Sequence, residues 1–164
     1  MVAQSVLLRW LRRSRACLPF LPTSFGTYLF LKARDCESTF LAAGETHDPW
    51  NIKSCVATST CWGPKELNTR LQCRDASYEP ASAPALNKDN IYQPIVGDCD
   101  GDCSMTFDNF AQFISSSLSD VGSSGSPPSS DDLRANYWSY ITEWTATEDV
   151  SYTDFNDWLF NSNA

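Results

Sequence analysis

Met105–Ile114 reads M-T-F-D-N-F-A-Q-F-I, and Val150–Leu159, which begins 45 residues later, reads V-S-Y-T-D-F-N-D-W-L. Laid on one another, Met105 meets Val150, Thr106 meets Ser151, Phe107 meets Tyr152, Phe110 meets Phe155, Phe113 meets Trp158 and Ile114 meets Leu159. Within each stretch the apolar positions fall at i, i+3, i+6 and i+7, one side of a helix, so each is an amphipathic helix that needs something to pack on. A repeat of this kind predicts two similar units. Upstream, Tyr92 and Val96 pair with Tyr137 and Ile141 at the same offset. The upstream helix of the second unit is well signalled: Ser129, Ser130 or Asp131 can cap it, acids fill its first turn, and Leu133, Tyr137 and Ile141 recur at helical spacing. In the first unit Pro94 stands inside the equivalent helix, which must therefore be short, start near Pro94 or kink.

Between the two elements of the first unit lies Asp98–Phe110, D-C-D-G-D-C-S-M-T-F-D-N-F. This stretch resembles the calcium loop of the EF-hand family, whose alternate oxygen-bearing residues converge on a hard cation that takes six to eight oxygens. Carried across by position, the resemblance implies Ca2+ held by the carboxylates of Asp98, Asp100 and Asp102, the carbonyl of Ser104, an oxygen of Thr106 and the side chain of Asn109. Two positions depart from the family pattern. Cys103 stands where a glycine makes the sharp turn, and Asn109 stands where a bidentate Glu closes the site. An amide brings one oxygen and no charge, so weak or structural calcium binding is expected. Cys99 and Cys103 both lie in this loop, and a local disulfide between them would shape it in place of the glycine.

The second loop, Glu143–Asp154, carries Thr145 and Thr147 where carboxylates belong, so it is expected to bind no metal and to be kept for packing. The resemblance implies that Met105 and Val150 pair as a short two-stranded ribbon joining the loops.

Charge divides the chain unevenly. Residues 1–34 hold six of the 12 basic residues and no acid, leaving six basic against 20 acidic residues over 35–164, a formal charge of −14. Such a surface repels nucleic acid and attracts cations. The segment 1–34 is arginine-rich, apolar and acid-free, like a mitochondrial-type organelle presequence; the other readings are a retained arm docked on a partner or membrane surface, in the cytoplasm, or a secreted protein. Arginines and prolines interrupt its apolar runs, and no transmembrane helix is predicted. Residues 35–84 are rich in Thr, Ser, Cys and Trp and lack a sustained helical period, which predicts an irregular cysteine-containing segment with short strands around 52–58 and a short helix from Pro64. Linker composition at 77–87 places a boundary near Ala85, and a Gly/Ser/Pro linker over 119–131 separates the two units.

Cys36, Cys55, Cys61, Cys73, Cys99 and Cys103 follow the basic segment, an even number compatible with three disulfides and with 15 pairings. His47, the one histidine, has no nucleophile signature around it, and Cys55, Cys61 and Cys73 lack the tight knuckle spacing of a zinc site. No Gly-rich phosphate loop or G-x-S-x-G motif is present. The expectation is a mainly α protein in which residues 85–164 form an EF-hand-like pair, acting as a calcium-binding adaptor or complex subunit that contacts protein partners and is not an enzyme. The alternative is a disulfide-stabilised secreted or intermembrane-space protein that binds no metal.

Overall fold

The computed structural model describes residues 26–44, 48–82, 84–97, 103–119 and 128–161, with backbone alone at 26–30 and 118–119. The chain is mainly helical. In order come α1 (Gly26–Ala42), a 3-10 turn (Pro49–Asn51), α2 (Lys53–Trp62), α3 (Pro64–Arg74), a π turn (Lys88–Tyr92) running into α4 (Gln93–Val96), α5 (Phe107–Ser119), α6 (Ser130–Leu133), a second π turn (Arg134–Trp138) running into α7 (Ser139–Thr145), and α8 (Tyr152–Asn161).

The segment expected to be irregular is helical, and the strand expected around 52–58 is α2. Its residues Ser54 to Thr60 are all buried, so no exposed stripe betrays a helical period. The hydroxyls of Thr58, Ser59 and Thr60 donate back to the carbonyls of Ser54, Val56 and Ala57 at 2.7, 2.7 and 2.8 Å. Each polar side chain thus enters the core already satisfied, which lets a Thr/Ser-rich helix sit at the centre of the packing. The helix expected from Pro64 is α3, with Pro64 in its first turn where a missing N–H costs nothing.

Helix α1 runs through positions 34 and 35, packs along α2 and is joined to it by the Cys36–Cys55 disulfide. Glu37, 4 % exposed, draws in Arg70 and Arg74 from α3, the second at 2.7 Å, while Arg70 also lies over the Trp62 ring. Two guanidinium groups on one carboxylate satisfy a charge that burial would otherwise penalise.

Past Ala85 the core continues without a break. The Asn87 N–H donates to Trp50 O, Tyr152 Oη donates to Leu86 O at 2.7 Å, and the Leu86 N–H donates to Asn156 Oδ1, so residues 86–87 stitch the N-terminal helices to α8. One apolar cluster spans Cys36 to Leu159.

The repeated apolar positions face this core: Met105, Phe110, Ile114, Val150, Phe155 and Leu159 are fully buried or nearly so, with Phe113 and Trp158 beside them. The upstream helices differ from expectation. Each contains a π turn, closed by Gln93 N–H to Lys88 O and by Ser139 N–H to Arg134 O. The extra residue per turn rotates the next stretch of helix about its axis, so in the second unit Leu133, Trp138 and Ile141 are buried whereas Tyr137 is half-buried.

Candidate functional site

Residues 103–106 and 150–151 bring the ends of the two loops together. Met105 and Val150 form an isolated antiparallel bridge, with Met105 N–H to Val150 O at 2.7 Å and Val150 N–H to Met105 O at 2.9 Å. No strand forms among the described residues, so the expected two-stranded ribbon is absent; each loop offers one extended residue before its exiting helix is capped. The Tyr92 hydroxyl, 1 % exposed, sits beside this bridge. It accepts from Met105 N–H at 3.1 Å and faces the carbonyls of Val150 at 2.6 Å and Cys103 at 3.0 Å. In the sequence Tyr92 stands only as the counterpart of Tyr137; a hydroxyl serving both loops has no sequence signal beyond its place before the first loop.

Directly after the bridge, the same device caps both exiting helices. Thr106 Oγ1 accepts from Asn109 N–H at 3.2 Å, and Asn109 Oδ1 accepts from Thr106 N–H at 3.0 Å and Thr106 Oγ1 at 2.7 Å. Forty-five residues on, Ser151 Oγ accepts from Asp154 N–H at 3.2 Å and donates to Asp154 Oδ2 at 2.7 Å. The first pair is a capping box, each side chain satisfying the other residue's backbone N–H, and the second shares its N-cap half.

Of the six residues expected to ligate calcium, Asp98, Asp100 and Asp102 lie outside the described residues, as do Cys99 and His47. Ser104 and Thr106 are exposed and Asn109 is half-buried. The structure brings Thr106 and Asn109 together, each holding the other. To ligate a cation, Asn109 Oδ1 would exchange two hydrogen bonds for the metal. Among the described residues, no three His, Cys, Asp or Glu side chains cluster as a metal site. Cys103 is engaged in a disulfide, as is Cys73.

The second loop closes on itself. Thr145 Oγ1 and Thr147 Oγ1 are hydrogen-bonded to each other at 2.8 Å, and between them Ala146 takes a left-handed conformation at φ 55°. A side chain at such a φ costs about 1–2 kcal/mol. Its sequence counterpart in the first loop is Gly101, which lies outside the described residues.

Beside the first unit a cleft of about 350 Å³ is lined by Ile91, Pro94, Ile95, Asn109, Phe113 and Lys53 among others. Elsewhere, Lys32 is 2 % exposed, and burial lowers its amine to about 8, a shift that Cys61 opposes and Lys53 reinforces. Cys61 is free, and burial raises its thiol, partly offset by Lys32 and by Thr60. Burial also pushes the Tyr78 and Tyr137 hydroxyls to about 12. Among the described residues, no helix is long and apolar enough to cross a membrane.

No family model matches the chain, and no characterised protein or solved structure matches it either.

Proposed function

We propose that residues 85–164 are a degenerate EF-hand-like pair and that the chain acts as a calcium-binding adaptor or subunit contacting protein partners. The first unit would hold Ca2+ weakly or structurally through Asp98, Asp100, Asp102, Ser104, Thr106 and Asn109. The second would bind no metal and supply the packing partner that a single helix–loop–helix needs. The observation that carries this reading is a coincidence at one offset: the Met105–Val150 bridge and the paired caps Thr106–Asn109 and Ser151–Asp154 all repeat 45 residues apart. A family pattern of loop, apolar pairing residue and capped exiting helix accounts for all three. The commitment of Asn109 to Thr106 favours a weak site over a tight one. Calorimetric titration of the full chain with calcium, beside Asp98→Ala, tests it.

The disulfide-framework reading has its own support, since Cys36–Cys55 ties α1 to α2 and both Cys73 and Cys103 are oxidised. Such bonds persist in oxidising compartments. Thiol labelling of protein isolated from its native compartment under acid quench distinguishes the readings: protected Cys36, Cys55, Cys73 and Cys103 favour the framework, and free thiols favour an adaptor in a reducing compartment.

A further inference from the structure

Helix α7 buries Ile141, and on the flank beside it Tyr140 is 61 % and Trp144 49 % exposed. One turn apart, the two rings share a face. Both rings are substantially open, whereas Trp138, Phe155, Trp158 and Leu159 of the same unit are buried. From the structure we infer that this outer face of α7 docks a lysine- or arginine-rich peptide segment of a partner protein. The inference deepens the adaptor reading and rests on it, but does not require a cation in the Asp98 loop.

Charge selects the occupant. Residues 128–161 hold seven acids and a single base, Arg134, a formal charge of −6, and Glu143 stands exposed beside Trp144. Arg134 itself lies over the Phe107 ring at 3.7 Å. Exposed Tyr and Trp faces beside the Glu143 carboxylate, in a unit of net negative charge, attract guanidinium and ammonium groups through both the ring quadrupole and the neighbouring charge. The acidic body of a second copy fits poorly, because residues 35–164 carry a formal charge of −14 that opposes its approach, while the basic residues 1–34 of a second copy are the competing occupant that sedimentation detects. Area argues the same way: the two rings leave on the order of 200–250 Å² open, against about 800 Å² per partner in a stable protein pair. A short segment anchored by one or two basic side chains matches that size.

The test titrates the full chain into a fluorescein-labelled synthetic 14-residue peptide of lysine and leucine, and into its glutamate-for-lysine counterpart, reading anisotropy at physiological ionic strength. Saturable one-to-one binding of the lysine peptide is expected, weakened at least tenfold in Tyr140→Ser/Trp144→Ser and unchanged in Leu41→Ser, which removes an exposed apolar side chain on α1. Binding that is equal in the double variant, or shared by the glutamate peptide, overturns the inference. So does a chain that sediments as a dimer lost in the double variant, since the face is then occupied by a second copy. Circular dichroism confirms that the variants, altered only at solvent, remain folded. Loss of calcium binding in Asp98→Ala with peptide binding intact separates this site from the metal loop.

Discussion

The Tyr92 hydroxyl lies 2.6 Å from the Val150 carbonyl, across 58 residues of chain, and ties the helix before the first loop to the end of the second. Because the same oxygen accepts from Met105 N–H, the bridge between the loops is held by a buried side chain as well as by its own backbone. Tyr92→Phe keeps the ring and removes these contacts, leaving the Cys103 carbonyl without this donor. A loss of about 1–2 kcal/mol in urea unfolding is expected. Faster amide exchange should be confined at first to Met105 and Val150; a uniform acceleration would place the effect in global stability alone.

Both N-caps should contribute similarly. Thr106→Ala and Ser151→Ala are each expected to cost about 1 kcal/mol, read as a lowered urea midpoint at unchanged slope. Asn109→Glu, which would put the charged ligand of the EF-hand pattern into the proposed calcium site, should raise calcium affinity by about tenfold or more. If it leaves the calorimetric titration unaltered, the Asp98 loop is not a calcium loop of this kind.

Much of this second half is legible because its signals are local: the spacing of Phe110, Phe113 and Ile114, the Ser129 cap, which accepts from Asp132 N–H at 3.1 Å, and the echo at 45 residues. The features that escape a sequence reading depend on tertiary context. Helix α2 hides because it is buried nearly all round, so Thr58 and Thr60, which favour strands by propensity, adopt a helix through packing and back-bonding. The π turn at Arg134–Trp138 shifts the buried face from Tyr137 to Trp138, and nothing in a 3.6-residue period announces an inserted residue. The change in charge near Asp35 suggests a division, yet helix formation ignores it: α1 carries Lys32 and Cys36 into one core.

Lys32 makes stability depend on pH. Its amine is lowered to about 8 in the folded chain from 10.5, so between these values the unfolded chain binds the extra proton and stability rises with pH. Below pH 8 the cost of burying the cation is fully present, on the order of 3 kcal/mol. Cys61, Tyr78 and Tyr137 act in the opposite sense: burial raises all three, the two hydroxyls to about 12, so the folded state favours their protonated forms and stability falls as the unfolded chain ionises, above pH 9 for the thiol and above pH 10 for the tyrosines. Urea midpoints should therefore climb above pH 8, flatten above pH 9 as the unfolded thiol ionises, and decline above pH 10. Lys32→Met should be more stable at pH 7 and should lack the climb; a variant that keeps it would assign the titration elsewhere.

Ala146 holds a conformation that glycine enters without strain. Ala146→Gly is expected to stabilise the chain by roughly 0.5–1 kcal/mol despite the extra freedom of the unfolded state, visible as a higher melting temperature. A fall would mean that the φ of 55° costs less than the entropy glycine adds.

Removing the disulfide by Cys36→Ala/Cys55→Ala frees a link across a sequence separation of 19 residues. Chain-entropy arguments give about 3 kcal/mol for such a loop. Unfolding by urea at pH 7 should show that loss, with α1 the first element to exchange its amides.

Calcium itself decides whether the first loop is a working hand. Purified full-length chain titrated by calorimetry should bind calcium saturably at one weak site, and Asp98→Ala should abolish the heat. Absence of saturable binding, or heats that Asp98→Ala leaves unchanged, would contradict a calcium role and leave the paired units as a scaffold for protein contacts alone.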